Sequence, residues 1–160
     1  MTRSTLEVDL AAVHENARRL MEVARGSRLW AVVKADGYGH GAVECARAAL
    51  SAGAERVCCA TLDEASELRE ALGPSTRIVV LSPLEPGEEL AAGGLEIVAS
   101  AHEAYRRRSA AGVSCGVPVK ADTGMGRWGR PPADAVAGSR ELAAANGPLH
   151  LAGVMSHLAT

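Results

Sequence analysis

Short, unbroken apolar runs alternate with stretches of helical periodicity along the chain, and this alternation constrains the fold more than any other feature of the sequence. Leu29-Trp30-Ala31-Val32-Val33 is too short for a stable helix and offers no polar face, the pattern of a strand covered on both sides. Arg56 to Ala60, Arg77 to Leu81, Leu95 to Ala99, Val117 to Ala121 and His150 to Met155 read the same way. A shorter alternating segment around Leu6 and Val8 predicts a further strand at the start of the chain. Between these runs lie helices with recognisable ends. Asp9 caps one whose apolar positions Leu10, Val13, Ala17, Leu20, Met21 and Ala24 keep helical spacing, with Gly26 as its stop. Ala42 to Leu50 is closed by Gly53. Thr61 with Glu64 forms a capping box for a helix that runs to Leu72 and stops at Gly73-Pro74. A weaker helix spans Glu88 to Ala92, Ser100 with Glu103 opens another, and Asp134 to Ala145 ends at Asn146-Gly147.

Regular β/α alternation argues for a parallel sheet wrapped by helices, either an open doubly wound sheet or a closed eight-stranded barrel. The six main strands do not fill an eight-stranded barrel, and Ser156-His157-Leu158-Ala159-Thr160 follows the last one with no helix to cover it. The expectation is one α/β domain over residues 1–160, an incomplete barrel with about six of its eight strands. A net charge of -2 with 22% charged residues gives no basic footprint for nucleic acid or anionic lipid. The apolar runs are strand-sized and Met1 to Glu7 has no signal-peptide core, so a cytoplasmic protein is expected. Cys45, Cys58, Cys59 and Cys115 lack the Cys-x-x-Cys spacing of zinc or redox sites and read as buried free thiols. His14, His40, His102 and His150 have no metal-ligand spacing, so no metal is expected.

Chemistry-bearing residues collect at strand ends, where parallel α/β folds place their ligands. Lys34-Ala35-Asp36-Gly37-Tyr38-Gly39-His40-Gly41 follows the first buried strand. A desolvated lysine there is a nucleophilic amine suited to Schiff-base formation, the glycines allow a sharp turn, and Tyr38 offers a hydroxyl to a phosphate. The plain alternative is a strand-end lysine before an ordinary turn. Lys120-Ala121-Asp122-Thr123-Gly124-Met125-Gly126-Arg127-Trp128-Gly129 is the second such segment. Arg127, flanked by glycines, can be presented to a carboxylate or phenolate oxygen, and Lys120 beside it would repel it unless neutralised or made anionic. A solvated cationic loop is its alternative. Ser156-His157 is the third, where a structural histidine is the alternative reading. Arg106-Arg107-Arg108 reads as a solvated helix face.

Together the three segments resemble the signatures of the alanine racemase family, in order, and the likeness extends from the strand near Leu6 to the last residue. That resemblance implies a (β/α)8 barrel followed by a β-rich domain that is absent here, a homodimer with shared active sites, and pyridoxal 5'-phosphate as cofactor. It implies the interconversion of L-alanine and D-alanine, supplying D-alanine for cell-wall peptidoglycan. Lys34 would hold the cofactor as an imine and act as base on one face of the substrate; Tyr38 would contact the phosphate. Arg127 would bond the phenolic oxygen and hold the substrate carboxylate, Lys120 is the position that can be carbamylated, and His157 would support the network under the cofactor ring. The family's second base is a downstream tyrosine from the partner subunit, which the helical, Arg-flanked Tyr105 does not match. The chain alone is therefore expected to be inactive or only cofactor-binding. The rival readings are another barrel-type pyridoxal racemase or decarboxylase, a single-barrel pyridoxal-phosphate-binding protein without turnover, and a non-enzymatic interaction fragment.

Overall fold

The computed structural model describes residues 4–85, 87–88, 94–98, 112 and 114–159. Its centre is one parallel sheet whose strands are β1 Trp30–Val32, β2 Arg56–Cys59, β3 Ile78–Val80, β4 Glu96–Ile97, β5 Cys115–Ala121 and β6 Leu149–Ser156. The strands lie side by side in their order along the chain, each pairing in parallel with the next. A doubly wound sheet reverses its order at a switch point, whereas a barrel winds in one direction. The sheet is thus the sector of a (β/α)8 barrel, and the alternative left open by the sequence is resolved.

The helices are α1 Leu10–Val23, the single turn α2 Lys34–Gly39, α3 Ala42–Ser51, α4 Leu62–Leu72 and α5 Pro132–Ala144. Asp9 caps α1 as its position suggests, its carboxylate accepting from the N–H groups of Ala11 and Ala12 at 2.9 and 3.1 Å. Thr61 and Glu64 form the expected capping box of α4. Helix α5 starts before Asp134 because Pro132, which lacks an N–H, takes the first helical position at no cost in hydrogen bonds. Residues 4–9 form no strand. The alternation there rests on Leu6 and Val8 alone, and Leu6, 73% exposed, packs on no sheet face. Glu88 is not helical; the rest of the expected helix to Ala92, the Ser100–Glu103 box, His102, Tyr105 and Arg106–Arg108 lie outside the described residues.

Alternation along the strands sorts side chains between two faces. Val57, Cys59, Ile78, Val80 and Ile97 face the helices and join Ala46, Ala65 and Leu68 in the main core. Each such aliphatic side chain contributes roughly 1.5–3 kcal/mol on burial. Cys115, Val117, Val119 and Leu149 pack with Ala135 and Leu142 of α5. The opposite, inward face carries Cys58, Val79 and Val98 with Trp30, Leu81 and Met155. Pro118, which cannot donate to a ladder, coincides with a register shift between β5 and β6. All four cysteines are buried and outside any disulfide, and burial pushes Cys58 and Cys59 up to about 12. Among the described residues no helix is long and apolar enough to cross a membrane, and no cluster suited to a metal ion occurs.

Candidate functional site

The inward face is built in layers, and its chemistry separates to the two ends. At the N-terminal ends of the strands Arg56 stacks 4.3 Å from the centre of the Trp30 ring and bonds Glu55 at 2.6 Å and Glu96 at 3.1 Å. Arg77 bonds the same two carboxylates at 2.8 and 2.6 Å, which closes a network in which every charge is paired. Above it come Cys58, Val79 and Val98, which are apolar and buried. At the C-terminal ends a cleft of about 230 Å3 opens, with Lys34, Lys120 and Arg127 in its wall beside Tyr38, Ser156 and His157. The three segments that the sequence singles out therefore meet at one place.

Lys34 enters the cleft from a turn of unusual hand. Ala35, Asp36, Gly37 and Tyr38 have φ of 51°, 52°, 61° and 57°, a run in the left-handed region. Glycine accounts for one of the four; the sequence suggests a glycine turn but not left-handed alanine, aspartate and tyrosine. Each non-glycine residue there costs about 1–2 kcal/mol, so the turn must be held by its surroundings. Gly37 N–H donates to the Val33 carbonyl at 2.8 Å, Gly41 N–H to the Asp36 carbonyl at 2.9 Å, and Ala42 N–H to Asp36 Oδ1 at 2.9 Å. Ala35 N–H donates to Glu64 Oε1 at 2.7 Å. The turn brings the Tyr38 ring to 5.9 Å from Lys34 Nζ and leaves the tyrosine 60% exposed at the rim.

Lys120 is 6% exposed on β5. Burial holds its ammonium below the usual lysine range, the positive charges of Arg127 and Lys34 push the same way, and Asp122 opposes them. Arg127 sits on a loop that closes on itself. Asp122 N–H donates to the Arg130 carbonyl at 2.7 Å, and Arg130 N–H to the Lys120 carbonyl at 3.0 Å. Asp122 Oδ1 accepts from Gly126 and Gly124 N–H at 3.0 Å each, which keeps its carboxyl below the usual range. The loop is tied to β6 through Ser156, whose hydroxyl donates to the Ala121 carbonyl at 3.1 Å and accepts from Thr123 Oγ1 at 2.6 Å. His157 follows directly into the cleft wall.

Two features were missed in the sequence. Lys34 and Lys120 are the only lysines of the chain, so both meet in one cleft; counting them with the arginines hid that signal. Among the described residues no aspartate or glutamate lines the cleft, and Lys34, Lys120 and Arg127 have no ion pair. Three unpaired cations around a concave space suit an anionic ligand. One of the three is a primary amine at the opening of a strained turn, which adds the capacity to bond a carbonyl covalently.

Comparison with known proteins gives a consistent result. Residues 8–160 match the family described as "Alanine racemase, N-terminal domain". The chain is 43% identical over 169 residues to the alanine racemase of Streptomyces coelicolor, covering 98% of this chain and 43% of that one. Among solved structures, alanine racemase from a D-cycloserine-producing Streptomyces lavendulae superposes with a TM-score of 0.84 at 41% identity, over 95% of this chain and 42% of that one. Alanine racemase from Bartonella henselae, solved with covalently bound pyridoxal phosphate, shares the fold with a TM-score of 0.84 at 23% identity, over 96% and 46% of the two chains. The chain thus spans less than half the length of these relatives.

Proposed function

We propose, from the premise that this chain belongs to the alanine racemase N-terminal-domain family, that residues 1–160 are part of the cofactor-holding barrel domain of a racemase acting on alanine. The observation that carries the reading is the meeting of both lysines with Arg127 in one cleft at the C-terminal ends of the strands. Pyridoxal 5'-phosphate is an anionic aldehyde, and these residues fit it: an amine for the aldehyde, cations for its negative charges, and a tyrosine hydroxyl at the rim. When bound it supplies an electron sink that makes the Cα–H of an attached amino acid acidic.

Each residue has a stated task in this reading. Lys34 would hold the cofactor through its aldehyde carbon, with loss of water, and its amine would take or return the α-proton on one face. Tyr38 donates its hydroxyl to the phosphate. Arg127 bonds the phenolic oxygen and the substrate carboxylate as a planar fork of donors. His157 supports the hydrogen-bond network beneath the ring. Lys120, already biased toward its neutral amine, adds carbon dioxide and releases a proton to become a carbamate anion. That change would turn its repulsion of Arg127 into attraction. The acid–base group for the opposite face is assigned to a partner subunit, as the family resemblance implies, so the working assembly is a homodimer. A cytoplasmic location suits the four reduced thiols, and the product D-alanine would serve cell-wall synthesis.

The test is an absorbance spectrum after adding pyridoxal phosphate and dialysing, on the protein and on Lys34→Ala, followed by borohydride reduction and peptide mapping. A visible band that requires Lys34, with the reduced cofactor mapped to that residue, is expected. Attachment at Lys120, or a band that survives Lys34→Ala, overturns the reading. A coupled assay for D-alanine formed from L-alanine reads turnover separately.

A further inference from the structure

We infer that Glu64 is a positioning residue for Lys34, because its carboxylate fastens the left-handed turn that aims the lysine into the cleft. The inference rests on the functional reading above and deepens it.

Three backbone N–H groups from two separate β/α units converge on this side chain. Ala35 N–H donates to Oε1 at 2.7 Å, Ala60 N–H to Oε2 at 2.6 Å and Thr61 N–H to Oε2 at 3.3 Å. A capping box accounts only for the bond to Thr61. The shorter bonds go to the end of the neighbouring strand and, 29 residues away in sequence, to the residue after Lys34. The far end of the turn is held by Asp36 and the middle by the Val33 carbonyl; the N–H of Ala35, next to the lysine, is held by Glu64. Fixing that N–H fixes the peptide plane that joins Lys34 to the turn, and so the direction in which the lysine leaves the backbone.

Only a carboxylate can do this. Both oxygens must accept, whereas glutamine has one acceptor and one NH2 group. Whichever way the amide turned, its NH2 would oppose an N–H of Ala35 or of Ala60 and Thr61. Aspartate keeps the charge but is one methylene shorter.

Two readouts test the role. In the cofactor-free protein, amide hydrogen exchange of residues 34–39 reports whether the turn is held. On adding pyridoxal phosphate, the rate at which the Lys34-dependent band appears reports whether the amine is aimed. Glu64→Gln should speed exchange of 34–39 and slow band formation about tenfold or more, since small misplacements of a reacting group cost that much. Thr61→Ala, which removes the other half of the capping box, should lower the melting temperature while leaving both readouts unchanged. If Glu64→Gln does not fold, Glu64→Asp decides by the same two readouts. Unchanged exchange, unchanged band formation, or an equal effect of Thr61→Ala would overturn the role. A wild-type protein with no Lys34-dependent band would overturn the functional reading and this inference with it, and would show before any Glu64 variant is measured.

Discussion

Gly129 passes so close to Asp122 that a β-carbon built on it would lie 2.7 Å from the N, Cα and Cβ of that aspartate. The contact closes the loop that carries Arg127, alongside the backbone bonds between Asp122, Arg130 and Lys120. Gly129→Ala must push the two segments apart, at about 1–3 kcal/mol for an overpacked contact. The expected outcome is a modest fall in the urea midpoint together with a disproportionate loss of pyridoxal phosphate affinity, because Arg127 moves with the loop. Equal affinity in the alanine variant would show that Arg127 is placed by something other than this closure.

The charge network beneath the apolar layer makes a second, graded prediction. Arg56 is nearly buried, with both carboxylate partners largely buried too, whereas the Arg28 side chain on the same Glu55 is 74% exposed. Removing one partner of a buried pair costs about 3–5 kcal/mol, since the charge left behind stays desolvated. Glu55 and Glu96 each keep Arg77, so Arg56→Ala should fall short of that loss in urea unfolding yet exceed about 1 kcal/mol, with the Trp30 stacking lost as well. Arg28→Ala should cost under about 1 kcal/mol, the range of exposed pairs, and its effect should fade with added salt.

Much of the fold is legible because each β/α unit carries its own signals. Asp9 and Thr61 mark helix starts by short-range chemistry, and the run ending at Val33 reads as a strand without knowledge of its neighbours, although β1 is not covered on both sides: Val32 on its inward face is 42% exposed. What the sequence hides depends on contacts between units. The left-handed φ of Ala35, Asp36 and Tyr38 runs against their own preferences and is imposed by bonds from Glu64 and around Asp36. The pairing of Arg56 with Glu96 spans 40 residues. At the N-terminus the error ran the other way: Leu6 and Val8 alternate, but no sheet face receives Leu6.

Acid should loosen the Arg127 loop at a predictable point. Backbone N–H groups of Gly126 and Gly124 hold the Asp122 carboxyl below its usual 3.8. A carboxyl depressed by folding contributes stability that is fully present above the unfolded value and is lost as pH falls through the lowered one. Trp128 lies in the same loop and reports on it. Its emission, taken as the difference from Trp128→Phe, should stay constant down to about pH 4 and change below it. In Asp122→Ala the change should already be present at neutral pH; a transition at the same acid pH in that variant would assign the effect to another group.

Lys120 gives a pH dependence of the same sign at the alkaline end, where a cost is relieved and not a gain lost. Its folded value lies below 10.5 because burial, then Arg127 and Lys34, disfavour the ammonium. Between the folded value and 10.5 the unfolded chain binds a proton that the folded chain does not, so stability rises with pH across that window. Below the window both states carry the charge, and the fold bears the full cost of burying it. Replacing Lys120 by methionine, of similar length and without charge, should therefore stabilise the cofactor-free protein at pH 7 by about 1 kcal/mol or more. The advantage should shrink as pH climbs toward 10.5. Bicarbonate at neutral pH should shrink it as well if the neutral amine takes up carbon dioxide, and a carbamate carbon in the 13C spectrum with labelled bicarbonate would appear in the wild type and be missing from Lys120→Met. Should the methionine variant be less stable at pH 7 and the gap hold constant with pH, the buried cation would not carry the cost assigned to it, and its conversion to an anion beside Arg127 would lose its driving force.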